Sequence, residues 1–393
     1  MHQPGLSRRT LLQAGFGLAA GAALAACSSG AGSDASLSDR GSTPSGEPAG
    51  YAMPAEWLEH ERTFMAWPAL TEVWGDQLGA VRADIAGLAK AIARYEPVVL
   101  MARPDQADDA QQQAGNDVEV IALQVDDLWA RDTGPTFVTG PDGGIAGVDL
   151  NFNGWGNKQT HANDSHVAAN LLARYGITRI QAPITGEGGA VETDGDGTLM
   201  ATESSLVNNN RNPGRSRDEI EADLKALFGV RKVIWFKGVA GQDITDCHVD
   251  ALARFVGPGV VALQRPASNT PPDIWSTASD QALTVLDGAT DANGRSIRVV
   301  EITDPNLDLI QGTGKDFLAT YLNFYVCNGA VIVPKFGDQQ ADDKAASTLR
   351  DLHPGRDVVQ VSINAIASGG GGIHCSTQQQ PKAGAGSPSA AAS

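Results

Sequence analysis

The sequence predicts a single mixed α/β domain spanning residues 51–382, about 332 residues. Short β-type apolar runs alternate with segments of helical period along this whole stretch. No Ser/Pro run or charge block interrupts it, so no internal linker divides it. The strands are short and the helices and loops between them vary in length, which argues against a regular (β/α)8 barrel.

The elements follow in order. Val81, Ile85, Leu88, Ala89 and Ile92 give a helix over 78–94, and Pro97 stops it. Val98–Met101 and Val118–Leu123 are short strands, the second leading to Trp129-Ala-Arg-Asp132. Asp142-Gly-Gly144 turns the chain into a run ending at Phe152. A helix over 165–175 is closed by Gly176. Asp194-Gly-Asp-Gly197 reads as a hairpin turn. It lacks the distal Glu of a calcium loop. Ser216 caps a helix ending at Phe228, with Glu219 completing a capping box and Ile220, Leu224 and Leu227 as its apolar face. Strands are expected at 232–236, 255–263, 297–302, 326–333 and 358–363, with a helix at 342–352.

The ends have a different composition. Arg8-Arg9 precedes an uncharged run over 14–26, which is 13 residues against the roughly 20 needed to span a bilayer. The run ends Leu24-Ala-Ala-Cys27. This segment, 1–26, is similar to a twin-arginine export signal joined to a lipoprotein cleavage box, which implies lipidation of Cys27 and an exported chain anchored to the outer face of the bacterial cytoplasmic membrane. The alternative is an ordinary cleavable signal. Residues 27–50 are rich in Ser, Gly, Ala and Pro and read as a disordered tether, and 383–393 as a disordered tail.

Composition narrows the function. Hydrophobic residues are 42%, enough for a large core, and 29 basic against 46 acidic residues leave a net charge of −17. No basic stripe suits nucleic acid, whereas a cationic small molecule or basic peptide fits the charge. There is no Gly-x-Gly-x-x-Gly after the first strand and no phosphate loop, so nucleotide cofactors are not indicated. Apart from Cys27, the cysteines are Cys247, Cys327 and Cys375, an odd number that leaves at least one thiol free.

Five places carry chemistry. Arg131 and Asp132 lie between a strand end and Gly134-Pro135, as a site or a surface ion pair. Glu187 precedes two glycines. In Asp246-Cys-His-Val-Asp250, His248 and Asp250 face one side if the segment is extended; zinc ligation competes, but the spacing matches no common zinc pattern. Asn323–Asp338 reads mainly as architecture. Finally, Gly369–Gly372 delivers Cys375, either a thiol nucleophile or a small buried hydrophobe. Carboxylates around a thiol raise its pKa, which is useful only if the substrate is itself a cation. A guanidinium meets that demand, being planar, permanently charged and able to pair bidentately with carboxylates.

The chain closely resembles the agmatine deiminase and bacterial peptidyl-arginine deiminase family of guanidino-group-modifying enzymes. The resemblance rests on Met53–Trp57, Glu61–Pro68, Trp129–Pro135, Asn151–Gly156, Glu187–Gly189, Asn208–Pro213, His248–Asp250, Asn323–Tyr325 and Gly370–Pro381. It implies a pentein-type α/β propeller of five ββαβ-like modules, for which the body allows about 66 residues each. It implies Cys375 as nucleophile, His248 as general acid/base, Asp132 and Asp250 as the guanidinium clamp and Glu187 as support for His248. Trp129, Gly371 and Gly372 would border the substrate. No metal or organic cofactor and no particular oligomer is implied. The chain departs from the family wording at Asp246-Cys247 and at Glu192, which places two extra acids beside the substrate. The expected activity is hydrolysis of agmatine to N-carbamoylputrescine and ammonia through a Cys thiouronium. Deimination of peptidyl or free arginine is the alternative, and a lipid-tethered guanidinium- or polyamine-binding protein without catalysis is a second.

Overall fold

The structure is a computed structural model that describes residues 50–311 and 314–385. The segment expected to be an export signal, Cys27, the expected tether up to residue 49 and the expected tail from 386 lie outside the described residues.

One arrangement recurs four times: an antiparallel hairpin, a helix, and a third strand parallel to the second hairpin strand. The helix is needed because parallel neighbours cannot be joined by a tight turn. The first set is β4 (Thr136–Thr139), β5 (Ile145–Asp149), α3 (Val167–Tyr175) and β6 (Thr178–Gln181). The second is β7 (Val191–Thr193), β8 (Thr198–Thr202), α4 (Arg217–Phe228) and β9 (Lys232–Phe236). The third is β10 (Ala253–Gly257), β11 (Val260–Arg265), α5 (Ile274–Asp287) and β12 (Arg298–Thr303). The fourth is β13 (Tyr325–Cys327), β14 (Ala330–Lys335), α6 (Gln339–Leu352) and β15 (Asp357–Ser362).

A fifth unit is assembled from both ends of the domain. β1 (His60–Ala66), α1 (Leu78–Ala93), β2 (Val98–Ala102), α2 (Ala107–Ala114) and β3 (Val118–Ala122) form a parallel set. β16 (Gln378–Pro381) then returns antiparallel to β1, pairing Phe64 with Gln378 and His60 with Pro381. Cys375 lies three residues before β16, so closing this sheet also fixes the thiol's place in the fold. The five modules agree with the propeller expected from the family resemblance.

Several expected helices form with the caps that predict them. Ser216 and Glu219 form the reciprocal capping box, and Gly176 and Gly229 take the left-handed conformation at helix ends. Two expectations are corrected. The runs 255–263 and 326–333 are hairpins, because Pro258-Gly259 and Asn328-Gly329 turn the chain, with Gly259 at φ +70 and Gly329 at φ +77. Among the described residues, no helix is long and apolar enough to cross a membrane.

Candidate active site

After β15 the chain makes one helical turn, Asn364–Ala367, and enters the glycine run. Close approach explains most of that run. A Cβ on Gly371 would sit 2.2 Å from Trp129 Cζ3, and one on Gly372 2.5 Å from Asn323 Oδ1. Only Gly370, at φ +87, uses a left-handed conformation. Trp129 is held by its Nε1–H to Asp127 Oδ2 at 3.1 Å and packs against Trp74. The run therefore lies on a fixed aromatic wall and presents Cys375 at a defined point.

Cys375 is buried and tied down on both sides. Asn323 Oδ1 accepts its N–H at 3.2 Å, Asn323 Nδ2 lies 3.3 Å from its sulfur, and its carbonyl accepts from Arg131 N at 3.1 Å. The sulfur is 3.5 Å from Asp250 Oδ2. Burial, with the charges of Asp250 and Asp132, holds the thiol well above its ordinary pKa. The cysteines among the described residues, Cys247, Cys327 and Cys375, are all free.

Asp132 sits on a single helical turn, Ala130–Thr133. Its Oδ2 accepts from Trp155 Nε1 at 2.9 Å and its Oδ1 from Gly189 N at 3.0 Å. Trp155 adopts φ +54, a conformation that costs a bulky residue roughly 1–2 kcal/mol. Arg131, beside Asp132, is buried and turns away to Gln379 and Glu56, so the two do not form a surface pair.

His248 and Asp250 converge by a route other than the one expected. The segment is not extended: Asp246 and Cys247 have φ +61 and +69, and Val249–Ala251 is a 3-10 turn. His248 Nε2 lies 3.3 Å from Glu187 Oε2, and its Nδ1 lies 3.7 Å from Asp132 Oδ2. Glu187 is fully buried and accepts from Arg211 Nε at 2.9 Å. Burial opposes the His248 imidazolium, but Asp132 and Glu187 outweigh it and carry its pKa to about 9. Burial likewise opposes the Glu187 carboxylate, and Arg211 with His248 more than offsets this. For Asp132 burial prevails over His248, with Glu187 and Asp250 adding to it, and its pKa is raised.

Two atoms of this group lack a hydrogen-bond partner although buried: His248 Nδ1 and Asp250 Oδ1. Buried polar atoms are almost always satisfied, so two such atoms on side chains that converge at Gly189 are open to hydrogen bonds from a ligand or water. Gly189 shows how tightly these groups converge. A Cβ there would lie 2.7 Å from His248 Nδ1, 2.9 Å from Asp132 Oδ1 and 3.1 Å from Asp250 Oδ2.

Thus Cys375, His248, Asp132, Asp250 and Glu187 are brought together. Two expected residues stand elsewhere. Asp246 lies behind Glu187, accepting from Arg211 Nη1 and Lys158 Nζ, both at 2.6 Å, and from Asn210 Nδ2 at 3.0 Å. Its left-handed backbone aims it at these cations instead of towards the sulfur. Glu192 pairs with Arg254 Nε at 2.6 Å, with His374 between it and Asp250. Sequence reasoning gave no role to Asn323, Trp155, Arg211 or His374, although each lies inside a motif that it used. Among the described residues, no group of three or more His, Cys, Asp or Glu side chains is arranged to hold a metal ion. The constellation offers a thiol, an imidazolium and carboxylates with open valences, a set suited to attack on a bound cation.

Known proteins share this architecture. The agmatine deiminase of Stutzerimonas stutzeri is 39% identical over 355 residues, covering 84% of this chain and 96% of its own. That of Medicago truncatula is 37% identical over 365 residues, covering 84% and 96%. The solved structure of Enterococcus faecalis agmatine deiminase superposes with a TM-score of 0.80 at 31% identity, over 88% of this chain and 99% of that one. Residues 52–381 match the family described as Porphyromonas-type peptidyl-arginine deiminase, and the chain belongs to that family.

Proposed function

We propose that this protein is an agmatine deiminase. The observation that carries the reading is the convergence of the Asp132 and Asp250 carboxylates, the latter with Oδ1 unpartnered, beside His248 and the Cys375 sulfur. A guanidinium supplies the donors that the carboxylates lack and sets its carbon against the thiol. Relatives named agmatine deiminase, at the identities given above, support agmatine as the guanidine.

The chemistry follows from the charges. In the empty site the thiol is neutral and His248 is an imidazolium at neutral pH. A bound guanidinium brings a positive charge to the sulfur and so favours loss of the thiol proton to solvent, leaving the thiolate. Cys375 Sγ attacks the guanidinium carbon, which loses planarity while Asp132 and Asp250 grip its nitrogens. His248 protonates the departing nitrogen, the C–N bond breaks, and ammonia leaves a thiouronium on Cys375. His248, now neutral, takes a proton from water as it adds, and the C–S bond then breaks, the added hydroxyl's proton passing to the leaving sulfur to restore the thiol and release the ureido product. The overall balance is guanidinium plus water giving urea derivative plus ammonium.

The family's description favours a second reading, peptidyl-arginine as substrate. Assay of ureido product with agmatine, free arginine and an arginine-containing peptide separates the two. Turnover chiefly of agmatine supports the first reading, chiefly of peptide the second, and of none the binding-protein alternative. We also propose that the chain is exported and lipid-anchored through Cys27, a reading supported by Arg8-Arg9 and Leu24–Cys27. Intact-mass analysis of membrane-extracted protein tests it: a mature chain without lipid contradicts it.

A further inference from the structure

We propose that His374 is a positioning residue of the deiminase reaction, pinning one carboxylate oxygen of Asp250 so that the other stays open to the guanidinium. The proposal rests on the deiminase reading and adds a residue to it.

His374 is adjacent to Cys375 in sequence, and its ring bridges two carboxylates. Nδ1 lies 2.8 Å from Asp250 Oδ2, and Nε2 lies 2.8 Å from Glu56 Oε2. Ionised carboxylates only accept, so a proton on either ring nitrogen is donated to the carboxylate that it faces. Glu56 is fixed in turn: Arg254 Nη2 lies 2.9 Å from its Oε2, Arg131 Nη2 3.5 Å, and Val326 N donates to its Oε1 at 2.8 Å. Arg254 is clamped by Glu192, by the Phe324 carbonyl and by the Phe324 ring beneath it. The backbone is held as well, His374 N donating to Asn323 O at 3.1 Å and Arg131 Nε to His374 O at 3.3 Å. The ring therefore has almost no freedom.

The consequence falls on Asp250. Its Oδ2 serves both His374 Nδ1 and the Cys375 thiol, while its Oδ1 serves nothing in the protein. A free carboxylate has two equivalent oxygens and rotates to satisfy whichever donor is near. His374 removes that equivalence. Burial alone would also favour protonated Asp250, and His374 keeps it an anion ready for a cation.

Two isosteres separate the two bonds of the ring. The amide nitrogen of Asn reproduces Nδ1, and that of Gln reproduces Nε2. His374→Asn retains the bond to Asp250 and should keep kcat/KM within about tenfold of wild type, whereas His374→Gln retains only the bond to Glu56 and should lose about 100-fold or more. Crystal structures of both variants should show Asp250 unmoved in the Asn variant and rotated in the Gln variant. A purely structural role predicts losses that follow Tm, regardless of which nitrogen is mimicked. Equal loss in both variants, or Asp250 unmoved in the Gln variant, overturns the proposal. If His374→Gln does not fold, a His374→Asn variant with about 100-fold lower kcat/KM overturns it and one near wild type supports it. Failure of wild-type protein to turn over any guanidine refutes the deiminase reading itself, which the variants' Asp250 geometry does not address.

Discussion

Gly189 donates its backbone N–H to Asp132 Oδ1 at 3.0 Å, and a side chain built on the same residue would strike that oxygen. One residue thus orients a carboxylate and, by having no Cβ, leaves room for what the carboxylate binds. Gly189→Ala should fold and yet lose about 100-fold or more in kcat/KM, because displacements near 1 Å at the reacting atoms cost that much. Steady-state kinetics with a melting curve checks it; an Ala variant of near-normal activity would show that the space is not used.

The two aspartates should part company in stability while failing alike in catalysis. Asp132→Asn and Asp250→Asn each leave a guanidinium donor without its charged partner, a loss of roughly 2–5 kcal/mol in transition-state binding. Burial raises the Asp132 pKa, so its charge costs stability and the Asn variant should melt higher. Burial also opposes the Asp250 charge, but His374 outweighs it and lowers the pKa, so Asp250→Asn should melt lower. Melting curves near pH 7 read the two signs directly.

His248 gives a pH signature. Its pKa rises from 6.5 unfolded to about 9 folded. A raised folded pKa contributes stability that is fully present below 6.5 and is lost as pH climbs through about 9. Wild-type Tm should therefore carry a decline between these values that His248→Gln lacks. Parallel profiles for the two proteins would contradict the ion pairs assigned to His248.

Asp246 acts on His248 at a distance. It receives Arg211, which holds Glu187, which faces His248. Asp246→Asn should lower kcat for every guanidine by a similar factor and leave the preference between agmatine and arginine unchanged. A shift in that preference would return Asp246 to the substrate pocket.

How much of this was legible depended on distance along the chain. Cys375, His248, Asp132, Asp250 and Glu187 stand in motifs whose residue types carry the chemistry, and the structure assembles them. Glu56, Arg254 and Arg211 act through partners tens to hundreds of positions away, which no local pattern reports. Asp246 is expected beside the substrate because it adjoins the His248 motif where the family wording changes, but two successive left-handed residues turn it to Arg211 and Lys158. The strand Gln378–Pro381 escaped notice because it is polar and buried, and its partner β1 lies at the other end of the domain. Helix α5 was missed too, although Asp273 caps it with a bond to Ser276 N.

The most direct test is acid-quench mass spectrometry of protein turning over agmatine. The account predicts a covalent adduct, agmatine less ammonia, on the peptide bearing Cys375. The adduct should be absent in Cys375→Ser, which also loses turnover, and present in Cys247→Ser and Cys327→Ser. Turnover surviving in Cys375→Ser, or an adduct carried by Cys247 or Cys327, would contradict it.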